Sequence, residues 1–453
     1  MTFFHKHKKN LIGITVSFSI FIAGAWGQLQ SKPGHITEAG LRELYNTVLH
    51  FVENDYVEEI PSRDLWFGAI KGVLSATGDP HTRFMTPEEF EGLRDDTRGN
   101  FGGLGIEIAL RDGVLTVISP IEDTPAMRAG LEPGDKIVEI EKESTQGMTL
   151  IDAVKKLRGK PGSSVNITVV REGEPEPLSF DIIREIIKIK VVTGQMIEGT
   201  KIGYIKLKQF SEPSTGDVAN LVKQLKEDGA ESIILDLRWN PGGLLEAAFK
   251  ISNIFIKEGV IVSTRGRKKE EDQIFQANPR NAIAADIKLV VLVNEGSASA
   301  SEIVTGAIKD LKRGVVVGTK TFGKGSVQRV LQLPYNTGIA LTIQKYYTPS
   351  GESIHHKGIV PHHEVKPLDF TVEDKRNYRV ITEKKLVEKF ISDHKEYNDV
   401  NVELFKKFLI GEGLPLSDFA LRFTLKQATF SGSRPVYDLE FDVQLKKAIE
   451  LLN

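Results

Sequence analysis

The sequence predicts a multidomain α/β protein with helical N-terminal and C-terminal regions. The chain has 453 residues, enough for about three domains, and its 40% hydrophobic content can fill their cores. The central part alternates β-rich runs with helical patterns, and these runs are KIGYIKL, SIILDL, KLVVLV, GVVVGT and ALTIQKYYT. The alternation indicates a protein core of mixed β-sheet and helices.

The N-terminal end has the pattern of a signal peptide. A basic segment from His5 to Lys9 precedes a mostly apolar segment from Leu11 to Trp26, and Ala23-Gly24-Ala25 offers a small-residue cleavage site. We predict a signal peptide or membrane anchor in residues 1–30. The mature protein is then predicted to be extracytoplasmic, either in the periplasm or attached to the membrane and facing the periplasm. Cleavage is favoured because the apolar segment is shorter than the roughly 20 residues of a membrane span.

Residues 31–97 are predicted to form an N-terminal helical region. Apolar residues recur at helical intervals between Leu41 and Phe51. The segment GDPHTRF, from Gly78 to Phe84, interrupts this pattern. We interpret it as a structural joint between the helical region and the core.

Composition excludes several function classes. The formal net charge is −2 and the basic residues are dispersed, so nothing favours binding to nucleic acid. Cysteine is absent, which excludes disulfides, a thiol nucleophile and cysteine metal sites. Two histidine pairs, His355-His356 and His362-His363, make poor chelates because neighbouring residues of an extended chain point to opposite faces. We therefore predict no metal and no cofactor.

Two motifs in the central part carry the chemistry. GSASASE, ending at Glu302, follows an apolar strand and begins a helix, and TFGKGSVQ follows the next strand. A serine hydroxyl is a weak nucleophile and needs a base, and a buried lysine can be that base because burial favours the neutral amine. The residues leave the nucleophile open, since serines at helix starts often cap free amides. The serines are Ser297, Ser299, Ser301 and Ser326.

These motifs resemble those of the carboxyl-terminal processing peptidases, also called tail-specific proteases. The resemblance implies that Ser299 is the nucleophile and that Lys324, 25 residues further along (324 − 299), is the base. It also implies that Gln328 orients the lysine and that Asp310 is a supporting acidic residue. The predicted serine-protease core spans residues 188–367.

A glycine turn completes the predicted active site. The apolar run SIILDL leads into Asn240-Pro241-Gly242-Gly243, which alone would be an ordinary strand-turn-helix connection. In the family this turn supplies an N–H group to the oxyanion hole. The resemblance thus assigns an oxyanion hole to Gly242, Gly243 and Ala300, the residue after the nucleophile.

Residues 98–187 resemble a PDZ domain. GGLGIEIAL, RAGLEPGDKIVEI, a helix-like TLIDAVKKLRG and VNITVVRE occur in the order of that domain. A PDZ domain captures a peptide carboxylate and adds the peptide as a strand at a sheet edge. The resemblance implies that the carboxylate binds to the amides of Gly102, Gly103, Leu104 and Gly105.

The C-terminal residues 368–453 are charged and helix-like, which is typical of helices with one packed and one solvated face. A homo-oligomer contact or a binding site for an adaptor protein in this region is a further alternative. Together the motifs predict a serine endopeptidase that recognises accessible C-terminal tails of proteins or peptides. Two alternatives are a catalytically inactive PDZ scaffold or peptide-binding protein, and an esterase with the same nucleophile.

Overall fold

The computed structural model describes residues 36–430 and 435–453, so the predicted signal peptide or anchor in residues 1–30 lies outside the described residues. Of the helices in these ranges, none is both long and apolar enough to cross a membrane. The chain divides into two compact units, and the boundary between them in the sequence lies between Gly78 and Asp79.

The described part of the first unit consists of two helices, α1 (Glu38–Asp55) and α2 (Ser62–Ser75). Thr37 begins α1 by accepting a hydrogen bond from the Gly40 N–H at 3.1 Å. Neither helix contains a fully buried residue. The helical intervals of the sequence are thus confirmed as a helix.

The second unit begins with a short strand and a helix, β1 (Arg83–Met85) and α3 (Pro87–Arg98). Strand β1 pairs with a strand more than 250 residues away, since Arg83 lies opposite Ala340. Thr86 and Glu89 form a reciprocal capping box at the start of α3. The interruption in the helical pattern therefore ends in a strand of the core.

The predicted PDZ segment forms a sheet in the order β3-β4-β5-β7-β8, with β6 beside β5. The strands are β3 (Ile106–Arg111), β4 (Val114–Pro120), β5 (Lys136–Ile140), β6 (Glu143–Ser144), β7 (Ser164–Val170) and β8 (Leu178–Ile183), and the helices are α4 (Pro125–Arg128) and α5 (Leu150–Leu157). A separate hydrophobic cluster fills this module. Strand β3 lies at an edge of the sheet, with α5 packed against it.

A two-stranded ribbon joins the module to the core. Strand β2 (Asn100–Gly103) pairs with β9 (Glu185–Lys188), so the chain enters and leaves the module side by side. This arrangement is that of a module inserted into a surrounding core.

The core is built on a six-stranded sheet in the order β10-β11-β12-β15-β16-β19. Its strands are β10 (Val192–Met196), β11 (Ile202–Leu207), β12 (Ser232–Asp236), β15 (Lys288–Val293), β16 (Val315–Gly318) and β19 (His363–Glu364). All neighbours are parallel except β10 and β11. The helices beside it are α6 (Ser214–Glu227), α7 (Leu245–Phe255), α8 (Ala300–Asp310) and α13 (Val443–Leu452).

Helices cover both faces of this sheet, which explains why its strands are continuous apolar runs. Ile233 and Leu235 of β12 pack in the cluster that contains residues of α6, α7 and α8. Ile234, between them, packs in the cluster that contains Leu445 of α13. The alternation follows from the two-residue period of a strand.

A second sheet has the order β1-β18-β13-β14, with β17 also paired to β18. Its further strands are β13 (Val260–Gly266), β14 (Gln273–Gln276), β17 (Ser326–Gln332) and β18 (Gly338–Tyr347). Beyond it, the C-terminal region forms a helical cluster with its own apolar core. These helices are α9 (Val372–Glu383), α10 (Leu386–Ile391), α11 (Asp399–Gly411) and α12 (Asp418–Thr429). The predicted α/β class with helical ends is confirmed.

Candidate active site

The predicted catalytic motifs follow three neighbouring parallel strands. The Gly242-Gly243 turn follows β12, Ser299 follows β15 and Lys324 follows β16. The carboxyl ends of parallel strands meet at one edge of a sheet, which is where α/β proteins place their ligand sites. The fold thus brings the three motifs to the same edge.

Ser299 lies at the N-terminal end of α8 in a strained conformation. Its φ is 56° and its ψ is −113°, a region that residues with a Cβ rarely adopt. Strain of this kind persists only where surrounding contacts hold it. Here the Ser299 N–H donates to Glu302 Oε2 at 2.9 Å.

The hydroxyl groups of the two neighbouring serines donate hydrogen bonds to backbone carbonyls. The Ser297 hydroxyl donates to the Leu237 carbonyl at 2.8 Å, and the Ser301 hydroxyl donates to the Asn240 carbonyl at 2.9 Å. Both link the start of α8 to the chain that follows β12. Ser326 Oγ is buried without a hydrogen-bond partner.

The Ser299 hydroxyl faces a buried tyrosine. Ser299 Oγ lies 2.7 Å from the hydroxyl of Tyr346, on β18. Tyr346 is only 2% exposed, and burial raises the pKa of its phenol above the ordinary value, although the hydrogen bond to Ser299 opposes this. The raised pKa favours the neutral phenol around neutral pH.

Lys324 is half-buried and has a lowered pKa. Burial is the main cause and the charge of Arg83 adds to it, while Asp79 acts in the opposite direction. Lys324 Nζ lies 3.5 Å from Gln328 Oε1, and the Gln328 side-chain N–H donates to the His81 carbonyl. The GDPHTRF segment therefore fixes the amide that faces the lysine.

Glu302 joins Ser299 to the lysine loop. This fully buried carboxylate accepts four hydrogen bonds of 2.6 to 2.9 Å, from the N–H groups of Ser299, Gly323 and Lys324 and from the Thr321 hydroxyl. Burial raises the pKa of Glu302, and the hydrogen bonds oppose that rise. All four partners donate, so the ionised carboxylate fits the position.

The glycine turn packs directly on Ser299. Gly242 has φ 105°, and a Cβ placed there would lie 2.7 Å from Ser299 Cβ and 2.9 Å from Ala300 N. Only glycine permits this approach. The Gly242 N–H donates to Asn240 Oδ1 at 2.9 Å, and the Gly242 carbonyl accepts from the Phe210 N–H at 2.9 Å.

The backbone N–H groups of Gly243, after β12, and of Ala300, after β15, lie at this edge of the sheet. The peptide between Gly242 and Gly243 is trans, so the Gly243 N–H points away from Phe210. The Ala300 N–H is the first of α8 and has no partner within the helix. Both residues are among those that the resemblance assigns to the oxyanion hole.

Asp310 lies at the far end of α8. The helix has 11 residues, so its two ends are separated by about 15 Å along its axis. Asp310 Oδ2 accepts a hydrogen bond from the Ser350 N–H at 3.0 Å. This contact anchors the turn after β18 and supplies no charge at Ser299.

The predicted carboxylate loop is partly strand. Gly102 and Gly103 belong to β2, and Leu104 is buried. The Leu104 carbonyl accepts from the Ala126 N–H at 2.9 Å, and the Gly105 carbonyl accepts from the Ile121 N–H at 2.8 Å. Since trans peptides point C=O and N–H in opposite directions, the N–H groups of Gly105 and Ile106 point away from these partners.

The histidine pairs have separate environments. The rings of His355 and His356 lie 3.9 Å apart between centroids, and His362 Nδ1 accepts from the Val316 N–H at 3.0 Å. Within residues 36–430 and 435–453, no group of three or more His, Asp or Glu side chains has the arrangement of a metal site.

Sequence reasoning missed the roles of Glu302, Tyr346 and His81. Glu302 ends the GSASASE motif, so an acidic residue at the third position of a helix that starts after Ser299 was a signal. Tyr346 and His81 gave no local signal. Their contacts with Ser299 and Gln328 span 47 and 247 residues.

Comparison with known proteins places this site in a family. Residues 201–365 match the model of peptidase family S41, and residues 116–171 match a PDZ domain. A carboxy-terminal-processing protease of Bartonella bacilliformis is 41% identical over 321 residues, which are 70% of this chain and 73% of that protein. The chain belongs to the carboxyl-terminal-processing proteases.

A second relative supports the same assignment. The carboxyl-terminal-processing protease of Synechocystis sp. is 39% identical over 305 residues, 66% of this chain and 71% of that protein. The resemblance stated from the motifs is thus confirmed. The chain is a serine protease of family S41 with a PDZ domain, and peptides or proteins are its class of substrate.

Proposed function

We propose that this processing protease cleaves peptide bonds with Ser299 as nucleophile and Lys324 as general base. The observation that carries the proposal is the placement of Ser299 and Lys324 at one sheet edge. Ser299 is strained and caps a helix, and Lys324 is half-buried with a lowered pKa. A neutral amine can accept the serine proton, and burial makes the amine neutral at lower pH.

The reaction then follows acyl transfer. Ser299 Oγ attacks the scissile carbonyl while its proton passes to Lys324 Nζ, and Lys324 later returns that proton to the leaving amine. The N–H groups of Gly243 and Ala300 stabilise the oxyanion, and Gly242 allows the close approach. Water then hydrolyses the acyl-enzyme, again with Lys324 as base.

Gln328 would keep Lys324 in place. Its Oε1 faces the amine at 3.5 Å while its N–H group is fixed to the His81 carbonyl. For proton transfer, Lys324 Nζ must come within hydrogen-bond distance of Ser299 Oγ, which lies 2.7 Å from the Tyr346 hydroxyl.

The PDZ domain would select substrates by their C-terminal tails. Strand β3 is an edge strand beside α5, the geometry in which a peptide adds as a further strand. The outward N–H groups of Gly105 and Ile106 would bind the terminal carboxylate. Within the predicted loop, Gly102, Gly103 and Leu104 would hold these groups in position.

The N-terminal sequence pattern supports an extracytoplasmic location, which stays a prediction. Fusing a reporter that is active only outside the cytoplasm to residues 1–35 tests it. A homo-oligomer, an adaptor and a membrane anchor remain predictions as well.

Cleavage of an unstructured test protein tests the catalytic proposal. Two forms of the test protein, with an apolar C-terminal tail or a charged tail, are incubated with the full-length protein and with Ser299→Ala and Lys324→Ala, and the products are identified by mass spectrometry. We expect cleavage that depends on the apolar tail and is lost in both variants. Tail binding without any cleavage would instead favour the inactive PDZ scaffold, and hydrolysis of small esters alone would favour the esterase.

A further inference from the structure

We propose that Tyr346 is a further catalytic residue, which donates a hydrogen bond to Ser299 Oγ and stabilises the negative charge that develops there. The inference rests on the proposed function, because it takes Ser299 as the nucleophile. It starts from the 2.7 Å distance between the two hydroxyl oxygens.

The direction of the hydrogen bond follows from the chemistry of the pair. Ser299 gives its own proton to the base during attack. Its oxygen therefore accepts the hydrogen bond from Tyr346 and does not donate one to it. Tyr346 stays neutral because burial disfavours the phenolate, and a neutral phenol has one O–H to donate. Hydrogen bonds to a charged oxygen are about twice as strong as those between neutral groups.

The position of Tyr346 is fixed by its surroundings. Its ring is 2% exposed and packs in the main core cluster. Its own N–H donates to the Gly325 carbonyl at 3.0 Å, next to Lys324. One residue therefore contacts the nucleophile through its side chain and the lysine loop through its backbone.

The same contact supports both halves of the reaction. During attack, the Tyr346 O–H would strengthen its bond to Oγ as the serine proton moves to Lys324. During deacylation, Oγ is the leaving group and would again carry negative charge until Lys324 returns a proton to it. No proton leaves Tyr346 in either step, so the phenol acts as a fixed dipole.

Removal of the hydroxyl tests the inference. We compare kcat and KM for cleavage of a tailed peptide by the full-length parent, Tyr346→Phe, and a form with 4-fluorophenylalanine at position 346, which fills the space of the hydroxyl but cannot donate. Both altered forms should lose roughly 100-fold in kcat, the effect of removing one donor to a developing oxyanion. KM and the pH at which activity rises should stay close to those of the parent, because Lys324 still acts as base.

The controls separate this inference from the proposed function. Tyr347→Phe changes the neighbouring tyrosine, over which Arg265 lies at 4.5 Å from the ring centroid, and should retain the parental kcat. A parental or increased kcat in both altered forms at position 346 would overturn the inference, the increase showing that the hydroxyl restrains Ser299. Cleavage by Ser299→Ala at the parental rate would instead overturn the proposed function.

Discussion

Single buried residues set the geometry of this active site. Glu302 holds the strained Ser299 and the loop of Lys324 through four accepted hydrogen bonds. A buried donor that loses its acceptor costs about 1–3 kcal/mol, so the arrangement depends on the carboxylate. The proposed nucleophile and the proposed base are thus positioned by one side chain that need not contact the substrate.

Glu302→Gln tests this positioning role. The amide has the same shape, but its NH2 group would face N–H groups that donate hydrogen bonds to the carboxylate in the parent. We expect cleavage to fall at least about 10-fold and the free energy of unfolding to fall by about 1–3 kcal/mol. Peptide cleavage assays and urea unfolding measure the two effects.

The matched control is Glu295→Gln. Glu295 is exposed and accepts a hydrogen bond from the Thr319 hydroxyl at 2.9 Å. Both quantities should be nearly unchanged in this variant. Parental activity in Glu302→Gln would show that Ser299 and Lys324 do not need the carboxylate.

At the scale of elements, the edge strand β3 and helix α5 lie side by side, and the proposed function places the substrate tail between them. Leu150 and Val154 lie one turn apart on α5 and are partly exposed, while Ala153 and Leu157 are buried in the module. Ile106 and Ile108 of β3 are also only partly buried. An apolar tail would cover these side chains as its backbone pairs with β3.

Charges in this groove should weaken substrate binding without affecting catalysis. In Leu150→Asp and Val154→Asp, a bound apolar tail would bury an unpaired carboxylate. We expect KM for a tailed substrate to rise at least about 10-fold, which corresponds to about 1.4 kcal/mol, with kcat within a factor of about three. Steady-state cleavage of tailed and untailed substrates measures the change.

Ile183→Asp is the control for the groove variants. Ile183 is 59% exposed on β8, at the opposite edge of the same sheet. Its substitution should leave KM unchanged. An equal rise in KM for all three variants would place tail recognition outside the groove between β3 and α5.

Motif-bearing elements could be predicted from sequence, and contacts between distant elements could not. Ser299 and Lys324 stand in short local motifs after apolar strands, so their placement followed from the strand pattern. The pairing of β1 with β18 and the contact of His81 with Gln328 join residues more than 240 positions apart. Such contacts depend on tertiary packing, which residue spacing along the chain does not encode.

At the scale of the whole molecule, the C-terminal helix is tied to the active-site edge. Arg238, just before the glycine turn, forms ion pairs with Asp236 and with Asp442, each at 2.6 Å. The charge of Arg238 lowers the pKa of the buried Asp236, although burial alone would raise it. Helix α13 covers the sheet face opposite α8, and Arg238 joins the start of this helix to the end of β12.

Asp442→Asn tests this connection. Asparagine can still accept the Leu445 N–H at the start of α13, but it removes the negative charge beside Arg238. We expect the free energy of unfolding to fall by about 2–4 kcal/mol, because the partner charge stays buried. Cleavage should slow several-fold as the turn before Gly242 loosens.

Asp286→Asn provides the comparison with a surface pair. Asp286 is 77% exposed and pairs with Lys226 at 3.1 Å. Exposed pairs contribute at most about 1 kcal/mol, so unfolding should change little. Equal stability of both variants in denaturant titrations would argue against a buried network that links α13 to the end of β12.

The most direct test of the Ser299–Lys324 pair is the rate and site of labelling by an alkyl fluorophosphonate between pH 6 and pH 10. Labelling forms an Oγ–P bond, releases fluoride and transfers the serine proton to the base. Because the pKa of Lys324 is lowered by burial and by Arg83, the neutral base should accumulate below the ordinary lysine value of about 10.4. We expect one adduct, on Ser299, with a rate that rises with pH and levels off below that value, and no labelling of Lys324→Met. An adduct on another serine, or parental labelling of Lys324→Met, would contradict the account.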